Sequence, residues 1–291
     1  MIRLRFAIQL GYEIANPGCD LILNIHAAQT IRQTIVAEQL HISQIVASNL
    51  GVDIATHNRP LRFSALPGFL RVSYEAVVDI RHYTGEPDAT WEVPIPRMPT
   101  EVLQYVYPSR YCESDRLLQF ASRAFGQEKQ GYFRVQHVRD WVLRHTTFAS
   151  NSSDFNTSAV DTLLACRGVC RDFAHLMIAL CRALNIPARF VTGIDYGADP
   201  ALGPTDFHAY VEVYLADRNG SRWYIFDPSG TAIPMGFVRI ATGRDAADVA
   251  FANIFGPVVS NAPIVQVEAL SDSAGRLNLP LISSSALSTM E

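Results

Sequence analysis

The chain has little cysteine, no long apolar run, no basic stripe and no internal repeat. Its five cysteines among 291 residues (Cys19, Cys112, Cys166, Cys170 and Cys181) are odd in number and widely scattered. They make no disulfide framework and suit a reducing cytoplasm. No segment approaches the roughly 18 consecutive apolar residues of a membrane helix. A secretory leader would need an unbroken apolar run after the early arginines. Instead Leu4, Phe6, Ile8, Leu10, Tyr12 and Ile14 alternate with polar residues, the pattern of a half-buried strand. Net charge is -4 and the sequence pI about 6.1, which gives nucleic-acid binding no electrostatic support. Neither a nucleic-acid partner nor a membrane is expected.

Hydrophobic residues make up 48% of the chain, enough core for one large or two ordinary domains. Residues 1–95 read as β-rich, with strands expected at 3–14, 20–25, 33–42, 61–64 and 70–81. Asn16-Pro17-Gly18 and Pro67-Gly68 mark turns between them. Residues 85–99 hold Gly85, Pro87, Pro94, Pro96 and Pro99 and read as a linker. Beyond it the period changes to that of helices at 115–125 and 132–145. Ser158, with Asp161 three residues on, opens a short helix to Cys166 in the manner of a capping box. Residues 169–184 are apolar nearly all round, so this helix is buried on most sides. Asn185-Ile186-Pro187 ends it. Strands are expected at 188–193, 208–215 and 222–227. The last residues are serine-rich and read as a loose tail. The expected organisation is a β-rich domain over 1–95, a catalytic core over 96–270 and a tail over 271–291.

The chemistry lies in three places. Cys170 follows Gly168 and Val169 at the first turn of the buried helix. Free N–H groups and the dipole there favour a thiolate, and the Cys170 N–H can donate to an oxyanion. Gly168 allows another chain to approach closely. The plain alternative is a small core cysteine, the expected fate of Cys181 deeper in the same helix. His175 lies about 140° around the helix from Cys170, so it is read as a packed, hydrogen-bonded histidine. His208 is the better base. It shares a strand face with Tyr210, Glu212 and Tyr214, opposite Ala209, Val211, Val213 and Leu215. Asp217-Arg218-Asn219-Gly220 turns the chain into a hairpin. If Leu215 pairs with Gly220, Asp227 lies directly across from His208, with Cβ atoms about 5 Å apart. A register shifted by two puts it opposite Tyr210 on the same face. An aspartate there fixes the histidine tautomer; the alternative for Asp227 is a strand-end turn residue. Cys166 and Cys170, spaced C-x₃-C, have no second cysteine pair or H-x₃₋₅-H, so no metal and no cofactor is expected. Cys166 is either a packing residue or a disulfide partner for Cys170.

Gly168-Val169-Cys170-Arg171-Asp172-Phe173-Ala174-His175-Leu176, then Leu184-Asn185-Ile186-Pro187-Ala188-Arg189, then Phe207-His208-Ala209-Tyr210 and Phe226-Asp227-Pro228, closely resemble the bacterial transglutaminase-like superfamily. The resemblance runs from about Ser109 to Gly256, and the β-rich front half resembles the region that often precedes this core. It implies an α+β, papain-like fold with the nucleophile helix packed on an antiparallel sheet. It implies Cys170 as nucleophile, His208 as base and Asp227 as orienting acid. Pro108-Ser109-Arg110-Tyr111-Cys112 and Gly243-Arg244-Asp245-Ala246-Ala247-Asp248-Val249 also look like stretches of the bacterial branch. Gly168, Val169, Tyr210, Arg244 and Asp245 are the candidate substrate-side residues, although Arg244, Asp245 and Asp248 are read most simply as a structural charge cluster. Trp141 and Trp223 are the indoles available as a further oxyanion donor. The expected reaction is thiol-dependent acyl transfer on amides, most simply hydrolysis of a peptide or isopeptide bond. The alternatives are glutamine–amine transfer, acetyl transfer by the same three residues, and a binding module that keeps the fold without chemistry.

Overall fold

The computed structural model describes residues 1–197 and 205–290. Its front half is built from strands β1 (Ile2–Ile14), β2 (Cys19–Leu23), β3 (Gln33–Ile42), β4 (Ser48–Leu50), β5 (Leu61–Ala65) and β6 (Gly68–Ile80). Strict alternation along β1 and β6 buries one face of each. Leu4, Phe6, Ile8 and Leu10 of β1, with Leu70, Val72, Tyr74, Ala76 and Val78 of β6, are almost fully shielded. The expected linker is not free. It holds β7 (Tyr83–Gly85) and β8 (Trp91–Glu92) and is strapped to the core by the buried Glu92–Arg134 ion pair.

The core then runs α1 (Ser114–Phe125), α2 (Tyr132–His145), β9 (Thr147–Phe148), α3 (Ala159–Ala165), β10 (Arg167–Gly168) and α4 (Cys170–Ala183). The expected capping box of α3 is present, because Ser158 and Asp161 each bond the other's backbone N–H. Next come β11 (Ala188–Asp195), β12 (Phe207–Asp217), β13 (Gly220–Phe226) and β14 (Phe237–Gly243), in the sheet order β13-β12-β11-β14, all antiparallel. β8 pairs with β12 beyond the end of β11. Helix α4 lies on this sheet. From Asp172 to Ala183 every one of its residues is buried. Phe173, Leu176, Met177, Ile178 and Leu180 together with Ala209, Val211, Val213 and Leu215 of β12 make the central core. Each such large side chain contributes about 1.5–3 kcal/mol of burial, which fixes α4 rigidly. The protein is thus α+β, a buried helix that opens with Cys170 packed on an antiparallel sheet, with a β-rich front half.

The chain ends differently from the expected order. β15 (Ala252–Phe255) joins β2, while β16 (Val258–Ser260) and β17 (Ile264–Leu270) pair with β1. Residues 252–270 therefore complete the front-half sheets, and a division at 95 and 270 does not follow the sheets. Nor is the tail loose to its end. β18 (Ala286–Ser288) pairs with β7, and 286–290 are buried. Small serine-rich composition suggested looseness, but Leu287 reaches an apolar cluster with Val191, Tyr210, Ile225 and Phe237. Glu291 lies outside the described residues. Among the described residues no helix is long and apolar enough to cross a membrane.

Candidate active site

Cys170 is the first residue of α4 and is half-buried. Its own N–H, in the first helical turn, has no intrahelical acceptor. The helix start is fixed by Asp172, whose Oδ2 accepts the Val169 N–H at 2.8 Å. Gly168 is buried, and a Cβ there would stand 2.7 Å from the Cβ of Asp172. The close approach expected at Gly168 therefore comes from Asp172 of the same turn. Val169 is the half-buried residue before the helix.

His208 stands near the start of β12. Its Nε2 lies 3.4 Å from Asp227 Oδ1 and 3.5 Å from Ser229 Oγ. Its Nδ1 lies 3.8 Å from Asp195 Oδ2. Burial opposes its charge, but Asp195, the hydrogen bond with Asp227 and the neighbouring Cys170 thiol outweigh this and hold its pKa well above the ordinary histidine value. Asp227 thus stands at Nε2 and Asp195 at Nδ1, with the Cys170 thiol also against the ring.

Asp227 follows the last residue of β13. Its Oδ1 accepts from Ser229 N at 2.9 Å and Ser229 Oγ at 2.6 Å, and its Oδ2 from Ala232 N at 3.1 Å. Burial pushes its pKa up, yet His208, Ser229 and Ala232 together hold it below the usual aspartate value. The register is the shifted one. Asp217 pairs with Gly220 and Val211 with Phe226, so Asp227 comes level with Tyr210 and not with His208. The turn is shorter than expected because Gly220, at φ 120°, closes it after two residues. Asp227 keeps the His208 face, and the ring reaches it diagonally.

Of the expected substrate-side residues, Tyr210 lies beside His208 but is closed off, and two others lie elsewhere. Tyr210 is fully buried, donating to Asp195 Oδ1 at 2.8 Å and packing on Phe237, so no substrate reaches it. Arg244 and Asp245 sit past the far end of α4. The Arg244 carbonyl accepts from Arg182 Nη2 at 2.6 Å, and the buried Asp245 accepts from Tyr111 N and Ala247 N. Arg182 is twelve residues, about 18 Å of helix, from Cys170. Arg244 pairs with Asp248, and the cluster closes a turn; the charges pair, but no helix starts there. His175 is the packed histidine expected: it stacks on Tyr111, accepts from Ala246 N at 3.2 Å, and burial with Arg171 and Arg182 keeps it neutral. Trp141 packs with Phe120, Phe125 and His145, and Trp223 with Tyr105, Tyr214 and Arg189. Cys166 is no core residue: it is exposed, free, and lies 3.3 Å from His145 Nε2. Among the described residues no group of three histidine, cysteine or carboxylate side chains is arranged so as to hold a metal ion.

Sequence reasoning missed Asp195 and Ser229. Ser229 was visible as Asp227-Pro228-Ser229, an aspartate followed two residues on by a residue able to bond its carboxylate. Asp195 was hidden because the strand was ended at Gly193, two residues early.

A thiol at a helix start, faced by a histidine and an aspartate from adjacent strands, defines a transglutaminase-like core. Residues 118–228 match the model of the transglutaminase-like superfamily, and residues 2–101 that of the bacterial transglutaminase N-terminal domain. A protein from Cytophaga hutchinsonii, whose crystal structure is provisionally named a cysteine protease, is 34% identical with TM-score 0.89, over 99% of this chain and 97% of that one. The chain belongs to the transglutaminase-like superfamily. Uncharacterized proteins of Mycobacterium leprae and Mycobacterium tuberculosis are 27% identical over 155 residues and 26% over 198, or 52% and 62% of this chain. The matched stretches cover 53% and 62% of those relatives' own lengths.

Proposed function

We propose that the chain is a cysteine hydrolase acting on an amide bond of a protein or peptide. The observation that carries this is the placement of Cys170 at the start of α4 beside His208, whose ring also meets Asp227. The Cytophaga relative's name supports the same reaction class. His208 takes the Cys170 proton, and the sulfur attacks the amide carbonyl carbon. The Cys170 N–H steadies the oxyanion. The C–N bond breaks as His208 returns the proton to the leaving amine, which leaves a thioester on Cys170. Water, deprotonated by His208, attacks that thioester; the C–S bond breaks, the carboxylic acid leaves and the thiol is restored. An amine in place of water gives transfer. Five free thiols are in keeping with work in a reducing cytoplasm.

Iodoacetamide labelling of each cysteine, read by peptide mass across pH, tests the activated pair. Burial pushes Cys112 and Cys181 up to about 12, so both stay unlabelled, while exposed Cys166 reacts as an internal control. Cys170 is expected to react fastest, and His208→Ala to slow it without touching Cys166. A protein substrate is then offered in water and with a fluorescent primary amine. Lys129 is the single lysine, so self-cross-linking barely competes. New termini without amine incorporation, lost in Cys170→Ala, establish hydrolysis. Amine incorporation replaces it with transfer. A Cys170 no faster than Cys166 overturns the proposal.

A further inference from the structure

The imidazole of His208 lies between two carboxylates, and the reaction above uses one. The second, Asp195, ends β11. Gly193 pairs with His208 across the sheet, and Asp195 lies two residues further along β11. Gly193 is needed for this: a Cβ there would stand 2.0 Å from Val238 O and 2.4 Å from the Phe237 ring. The β11–β14 register shifts between Thr192 and Gly193, and such a bulge re-aims the residues beyond it. Asp195 is 1% exposed. Its Oδ1 accepts from Tyr210, but its Oδ2 has no hydrogen-bond donor and faces His208 Nδ1 at 3.8 Å. A buried carboxylate oxygen without a donor is costly unless a cation stands opposite it.

We propose that Asp195 is a positioning residue for the base: a second carboxylate whose charge, 3.8 Å from the Nδ1 edge of His208, acts through space to keep the ring charged and aimed at Cys170, while Asp227 holds Nε2. This rests on the reading of Cys170 and His208 as the working pair. The groups facing the ring are Cys170 from α4, Asp195 from β11, Tyr210 beside it on β12, and Asp227 and Ser229 beyond β13. Burial drives Asp195 up to about 6, the His208 charge and Tyr210 pull it down, and Asp227 pushes it up. In its charged form it favours the imidazolium over the neutral ring. Asp227, held by three donors from its own loop, fixes geometry. Asp195, with one oxygen free, supplies charge.

The test is an NMR titration of the His208 ring in the full chain carrying Cys170→Ala, which removes the thiol's own titration. Asp195→Asn keeps an acceptor for Tyr210 and removes the charge. It should lower the His208 pKa by about one unit or more, the usual effect of losing an opposite charge within 4–6 Å. The ring of His137, on α2, serves as the unmoved reference. An unmoved His208 overturns the proposal. If Asp195→Asn does not fold, the reciprocal measurement serves: His208→Gln should raise the Asp195 carboxyl pKa by a similar amount, and an unmoved carboxyl overturns it. With Cys170 restored, Asp195→Asn should move the alkaline limb of the kcat/KM profile to lower pH; a merely structural residue lowers the rate at every pH and leaves the limb in place. The NMR readouts need no turnover. A chain that hydrolyses nothing yet shows both shifts keeps Asp195 in this role while the proposed function falls.

Discussion

Asp172 folds back into the space that Gly168 leaves empty, with its Oδ2 2.9 Å from where a Cβ on that glycine would be. The same oxygen holds Val169 N, one residue ahead of the thiol. Gly168→Ala should break this contact, costing about 1–3 kcal/mol, and displace the first turn of α4. Thermal unfolding should show the loss, and Cys170 should label more slowly. A variant that melts and labels as the wild type would show that the turn tolerates the methyl group.

Asp227→Asn should weaken both the loop and the base. The Asn amide presents N–H groups to Ala232 N, so one donor is left without an acceptor, at about 1–3 kcal/mol. It also removes a partner that raises the His208 pKa. A raised histidine contributes stability that is complete below its unfolded pKa of about 6.5 and lost as pH rises through the higher folded value. Wild-type stability should therefore fall in the alkaline range. In Asp227→Asn that fall should begin at lower pH. Melting curves from about pH 6 to about pH 10 check it; coincident curves after allowing for a constant offset would count against it.

The sheet face behind the site holds a second test. Glu212 is fully buried between Arg189 and Arg239, with Arg189 Nε donating at 2.8 Å and Arg239 Nη2 closer still. Burial pushes the Glu212 pKa up, but the two guanidinium groups outweigh it and leave it lowered. A depressed carboxylate gives stability that is present above its unfolded pKa and lost as pH falls through the folded value. Glu212→Gln leaves two buried cations uncompensated and should cost about 3–5 kcal/mol at neutral pH. Urea unfolding at about pH 7 and about pH 4 should show the penalty shrinking on the acid side.

Leu287→Ala separates a docked tail from a loose one. Leu287 is 4% exposed, so truncation should cost about 2–5 kcal/mol. A change within about 0.5 kcal/mol is what a surface position would give.

Elements with a strong period could be read from the sequence because burial and local preference agree there. β3 and α2 begin and end as the pattern predicts, and α4 differs by one residue at each end. The order Cys170, His208, Asp227 was likewise visible, since each residue sits where an apolar element starts or stops. Asp195 was not, because β11 continues through a register shift against β14 that Gly193 hides in the sequence. Tyr210 looked like a surface neighbour of His208, since alternation cannot reveal that β12 is covered on both faces. The hairpin register depended on one turn glycine. The tail and the strands of residues 252–270 were set by distant partners that leave no local mark.

Those late strands bear on how the chain is made. β1 is a thirteen-residue ribbon, apolar on one side, and β16 and β17 cover the edge that β6 does not. A ribosome delivers β1 and β6 first and the covering strands only after the whole nucleophile helix and its sheet. Through most of synthesis the front half carries a bare edge, open to pairing with a neighbouring chain. Its closure waits on the segment that follows β14, so the front half cannot complete its own sheet from its own strands.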